Sequence, residues 1–157
     1  MATPRRHVVL AAKAAVVGAL VLTVGLVACA LAYFAGSTVP GATAAAALRG
    51  IAGTAVYLAA LALFSLGFGA ILRNTAAAIS TVLALLWLPL ILINLVPMDV
   101  GLKIARLCPM FAGLSIQRTI ERADSIPIAP GAGLALVCGY ALISLAVGFW
   151  LVSRRDA

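Results

Sequence analysis

Four uninterrupted apolar blocks, each free of charge and 21 or 22 residues long, constrain this chain more than any other feature. They run from Ala14 to Ala35, Ile51 to Leu72, Ala76 to Val96 and Gly131 to Val152. Coiled as an α-helix, each block reaches about 32 Å, close to the ~30 Å hydrocarbon core of a bilayer. A membrane-crossing strand needs only ~10 residues with strict alternation, and no block alternates. The blocks therefore predict an all-α integral membrane protein with four transmembrane helices.

Composition agrees. The 157 residues are 65% hydrophobic and 10% charged, whereas a soluble domain carries about a quarter charged residues to cover its surface. The net charge of +7 raises nucleic acid as a partner, but the placement argues against it. Arg5, Arg6, Lys13, Arg49, Arg73, Arg154 and Arg155 sit at block edges, with no basic stripe and no interleaved aromatics. Such flanks read as topology signals facing anionic headgroups, so membrane lipids, not nucleic acid, are the expected partners. Four crossings put both termini on one side, together with Arg73, and the positive-inside rule makes that side the cytoplasm. The long segment 97–130 weakens the asymmetry, because it holds Lys103, Arg106, Arg118 and Arg122.

The segment 97–130 is punctuated by Pro97, Pro109, Pro127 and Pro130. From Ala112 to Ala123 its pattern is helical, with Ala112, Ile116, Ile120 and Ala123 on one face and Gln117, Arg118, Glu121 and Arg122 on the other. Before it, Val100, Ile104 and Leu107 form a shorter apolar stripe, with Lys103 and Arg106 opposed. Two readings stand: a solvated cap, or a re-entrant element that lines or gates a path. Pro89 removes a hydrogen bond inside the third span and predicts a bend or hinge. Small residues at four-residue spacing (Ala14/Gly18, Gly25/Cys29, Ser65/Gly69, Ala135/Gly139) are candidate helix contacts.

Little in the chain supports chemistry. Cys29, Cys108 and Cys138 have no metal-ligand spacing and read as small apolar fillers. Leu26-Val27-Ala28-Cys29 resembles a lipoprotein cleavage box, but the apolar run continues past it. Arg5-Arg6 is a weak twin-arginine match with no folded cargo behind it. His7 is the one histidine, and Asp99, Glu121, Asp124 and Asp156 all lie outside the spans. A proton-coupled carrier would need ionisable groups at membrane depth, each costing ~2.5 kcal/mol or more to insert. No phosphate-binding GxxxxGK[ST] loop occurs, and no HExxH. Neither enzyme activity nor a cofactor is expected. Asn94 is the most polar residue of the spans. Serine and threonine hydroxyls, such as those of Ser65 and Ser80, can bond back to their own helix.

Several stretches together resemble a family. Arg5-Arg6-His7-Val8-Val9-Leu10-Ala11-Ala12-Lys13 leads into an Ala/Val/Gly-rich span, and Arg49-Gly50 and Tyr57-Leu58 open the second. Leu72-Arg73-Asn74-Thr75-Ala76-Ala77-Ala78-Ile79 joins the second to the third, Gly131-Ala132-Gly133-Leu134 starts the last, and Arg154-Arg155-Asp156-Ala157 ends the chain. In this order they look like the membrane subunit of a bacterial ABC-2 type ABC transporter, in its Ala- and Arg-rich actinobacterial style. The resemblance implies a permease of six spans that pairs with another permease chain and docks on a separate cytoplasmic ATP-binding subunit. It also implies a plasma-membrane location and outward movement of hydrophobic or amphiphilic cargo.

The four spans here would be the last four of the six. On that mapping residues 1–13 are a cytoplasmic segment that ends the ATPase-coupling region, with Arg5 and Arg6 as docking candidates. Residues 14–152 form the transmembrane domain, 97–130 its external re-entrant region, and 153–157 a cytoplasmic tail. Pro89 and Asn94 are candidates for a hinge or the translocation path. The chain would then be a truncated or mis-started permease, or a half that assembles with another polypeptide. The competing expectation is a small four-helix membrane scaffold or accessory protein with no transport activity of its own.

Overall fold

The computed structural model describes residues 6–36, 44–72, 74–93, 95–117 and 129–154. In chain order its helices are α1 (Arg6–Ala35), α2 (Ala44–Leu72), α3 (Thr75–Ile93), α4 (Met98–Leu107), α5 (Pro109–Leu114) and α6 (Pro130–Arg154), with a 3₁₀ turn at Ser115–Gln117 between the last two. Helices α1, α2, α3 and α6 are each long and apolar enough to cross a membrane. The chain is a multi-pass, all-α membrane protein, as the apolar blocks predict.

The helices are not confined to those blocks. Helix α1 starts at Arg6 and α2 at Ala44, because the Ala-rich flanks are strong helix formers whether or not lipid surrounds them. At about 45 Å, α1 is longer than the hydrocarbon is thick. Helix α3 stops at Ile93, three residues short of the apolar block's end. Pro97 disfavours helical backbone just before it, and the chain turns there, with the Leu95 amide donating to the Leu92 carbonyl at 3.0 Å.

Helix α2 is the centre of the molecule, packed chiefly against α6 and α1. A third of its apolar window is buried, against 6% for α1 and for α3, so those two present most of their surface to lipid. The α1–α2 pair is antiparallel, with Gly18 against Leu63 and Gly25 so close to Ala55 that an added Cβ would stand 3.4 Å from its Cα. The α2–α6 pair is parallel, since α3 crosses back between them in the chain and the α4–α5 hairpin does not cross. Its closest point is Gly67 against the Ser144 backbone, and Gly148 lies against Ala70 and Gly67. The Ser144 hydroxyl donates to Ala141 O at 2.9 Å and stands 3.4 Å from Phe64 O of α2. Helices in lipid gain nothing from hydrophobic burial against one another, so close backbones and such polar contacts hold them.

Spacing alone picks these contacts only in part. Gly18 and Gly25 do meet α2, but Gly69 and Gly139 have open space where a Cβ would stand, and Ser65 and Ala135 are exposed. Ser65 and Ser80 return their hydroxyls to Leu61 O and Ala76 O, four residues back, as expected. Between α2 and α3 the chain turns in two residues. Asn74 caps α3, its Oδ1 accepting from the Ala76 amide at 3.0 Å and the Ala77 amide at 3.4 Å. That turn, the start of α1 and the end of α6 share one face of the molecule. The ends of α1 and α3 and the starts of α2 and α6 share the opposite face.

Candidate functional site

After α3 the chain neither leaves the bundle nor lies flat on its end. Helix α4 turns back beside α3, with Gly101 against the Ile93 carbonyl, and its last carbonyl, Leu107 O, accepts a 3.0 Å hydrogen bond from the Tyr140 hydroxyl of α6. Tyr140 stands about 15 Å along α6 from Pro130. The tip of the fold-back therefore lies on the order of 10 Å inside the ends of the spans. Cys108 is extended (φ −72°, ψ 125°) because Pro109 follows it, and Pro109 opens α5 at a position where a missing N–H costs nothing. Helix α5 and the 3₁₀ turn then climb between α2 and α6.

This returning limb is the best-buried part of the molecule outside α2. Ala112 is fully enclosed, and Cys108, Ser115 and Ile116 are buried. Three glycines on three elements make room for it. A Cβ on Gly53 of α2 would overlap Ile116, one on Gly113 of α5 would overlap the Tyr57 ring, and one on Gly133 of α6 would overlap the Ala112 carbonyl. Tyr57, Ala60, Phe64, Ala112, Val137 and Ala141 form the core around it. The Ser115 hydroxyl is satisfied within its own turn, donating to Ala112 O at 2.6 Å.

Of the two readings of segment 97–130, the re-entrant one matches residues 98–117, which fold as a hairpin between the spans; residues 118–128 lie outside the described ones. Ala112 and Ile116 form its buried face, as the helical pattern predicts. The helix itself differs from the expected Ala112–Ala123. It begins at Pro109 and tightens to 3₁₀ at Ser115, and Ile120 and Ala123 lie outside the described residues. The α4 pattern also needs correction. Val100, Lys103 and Leu107 are exposed together, so Lys103 flanks the apolar stripe and does not oppose it.

Beneath the tip, α3, α4 and α6 leave an apolar cavity of about 340 Å³. Leu85, Leu88 and Pro89 of α3 line one side, Ile104, Leu107, Cys108 and Pro109 of the hairpin another, and Tyr140 the third. Pro89 thus stands on the cavity wall, where its ring cannot donate to the Leu85 carbonyl. No family model, curated protein or solved structure matches the chain. A second apolar recess of about 440 Å³ opens between α2 and α3 near the capped turn, lined by Ser65, Gly69 and Thr75 among others.

The candidate residues are not brought to one place. Pro89 is at the cavity. Arg6 opens α1 on the other face of the molecule, and Arg5 and Asn94 lie outside the described residues. No cluster of three metal-binding side chains exists among the described residues. Nothing in the sequence marks Gly53, Gly113 and Gly133 as the glycines that seat the hairpin. An interior glycine costs a helix about 1 kcal/mol and so hints at a close approach. With 14 glycines in the chain, that hint does not discriminate.

Proposed function

We propose that the chain is a membrane-spanning permease subunit of an ATP-driven ABC-2 type transporter, moving a hydrophobic or amphiphilic substrate. It works in a bacterial plasma membrane with both termini in the cytoplasm, beside another permease chain, and a separate ATP-binding subunit supplies the hydrolysis. The observation that carries this reading is the hairpin Met98–Gln117. The resemblance calls for a re-entrant element just before the final span, and four apolar blocks alone do not require one. The apolar cavity under the tip, walled partly by Pro89, supports a path for amphiphilic cargo, and Asn94 stays a candidate for that path from the sequence alone. Arg5 and Arg6, which the resemblance puts at the end of the coupling region, are the proposed contacts with the ATP-binding subunit.

The test is co-purification from the native membrane. The chain is expected to bring an ATP-binding subunit with it, and the double reversal R5E/R6E should lower that recovery severalfold while R154Q leaves it intact. A stable particle free of any ATP-binding subunit would favour the scaffold role instead. Equal recovery with R5E/R6E would remove the two arginines from the docking surface.

A further inference from the structure

We infer that the outer groove between α3 and α4 is a binding site for an anionic phospholipid of the surrounding bilayer, with its headgroup on Lys103 and an acyl chain in the cavity beneath the hairpin tip. The inference is independent of any transport activity. Three observations carry it. First, Gly101 is level with Ile93, the last residue of α3, so Lys103, two residues on, sits about 3 Å inside the end of that span. From that depth a lysine can extend its ammonium to the lipid headgroups. Second, Lys103 shares the exposed face of α4 with Val100 and Leu107, and Leu107 and Ile104 wall the apolar cavity one turn deeper. A cation directly above an apolar recess, both open toward lipid, is the complement of an anionic amphiphile standing upright. Third, among the described residues α3 makes its main contacts with α2 and α4, and the residues flanking the groove are exposed: Leu85 and Leu88 of α3 are 42% and 54% accessible and Leu107 of α4 is 62% accessible. Asp99 also lies on α4, but Lys103 and Arg106 leave the helix net positive, so an anion remains favoured.

A polybasic membrane surface gains about 1 kcal/mol per lysine from anionic lipid, which is roughly a fivefold preference for one cation. The test reconstitutes the full chain in phosphatidylcholine vesicles. These carry trace phosphatidylglycerol or trace phosphatidylcholine with a photoreactive group in the acyl chain, and the labelled peptides are mapped by mass spectrometry. Phosphatidylglycerol is expected to label residues 85–89 and 104–109 about fivefold more than phosphatidylcholine does. K103Q should abolish that preference without lowering phosphatidylcholine labelling there. I104W, which fills the cavity, should lower labelling by both lipids, and circular dichroism of each variant checks that the helices persist. Equal labelling by the two lipids in the parent chain would overturn the inference. So would a preference that survives K103Q. Absence of label from the groove, with cross-links between copies of the chain instead, would also overturn it.

Discussion

At the residue scale, space and not chemistry decides which side chains matter. Gly133 has no room for a methyl group, because the carbonyl of Ala112 already occupies the place. Gly133→Ala must push the hairpin away from α6 and is expected to cost about 1–3 kcal/mol, read as a lower midpoint in detergent-denaturation or thermal-unfolding curves. Gly139→Ala, six residues on and facing open space, should be neutral or stabilising by up to about 1 kcal/mol. If the two variants behaved alike, the seating of the hairpin would be wrong. Tyr140 offers a second test. Its hydroxyl satisfies a carbonyl at the end of α4, one of the acceptors that every helix C-terminus leaves unpaired. Tyr140→Phe removes the donor with little change of shape and should cost about 1 kcal/mol in the same assay. None of this was legible along the chain. Gly53, Gly113 and Gly133 belong to three elements, and only the assembled fold brings them against one another.

At the element scale, length and apolarity are written in the sequence, but ends and partners are less so. The four spans were legible because lipid leaves helices little choice. Their ends shifted because Ala-rich flanks keep coiling outside the hydrocarbon, and because Pro97 acts on the residues before it. The short hairpin helices were half legible. Periodicity found the buried face at Ala112 and Ile116, yet periodicity reports which side of a helix is buried and not how deep the helix sits. The α2–α3 turn holds a local signal that can be tested by itself. Asn74 satisfies two amides at the start of α3, so Asn74→Ala is expected to cost about 1 kcal/mol, whereas Asn74→Asp should retain most of the stability. Hydrogen exchange at Ala76 and Ala77 would report the loss directly.

At the scale of the whole molecule, the arrangement predicts sidedness. Asn74 and Ala129 are both exposed and lie on opposite faces, separated by the length of a span. In a background lacking Cys29, Cys108 and Cys138, Asn74→Cys and Ala129→Cys should label from opposite sides of an intact vesicle with a membrane-impermeant maleimide. Labelling of both from one side would break the four-crossing arrangement. Lys13 and Arg154 are exposed toward the face that bears Asn74, and Arg154 lies over the Trp150 ring at 4.5 Å, an aromatic–cation pair suited to the membrane interface. On that basis Asn74→Cys is expected to label only after the cytoplasmic side is opened.

The seat of the hairpin also fixes a timetable. Helix α5 needs two walls, and one of them, α6, leaves the ribosome after it. At about 5–20 residues per second, the stretch from the 3₁₀ turn to Val137 takes roughly one to four seconds to emerge. During that interval Ala112 and Ile116 have only α2 to lean on, and the apolar limb waits at the membrane with half its cradle missing. A chain truncated before Gly131 and released into the membrane should leave Cys108 open to thiol reagents, and one that extends through Arg154 should close it. The hairpin is thus laid down early and locked late, and the closing helix acts as the latch.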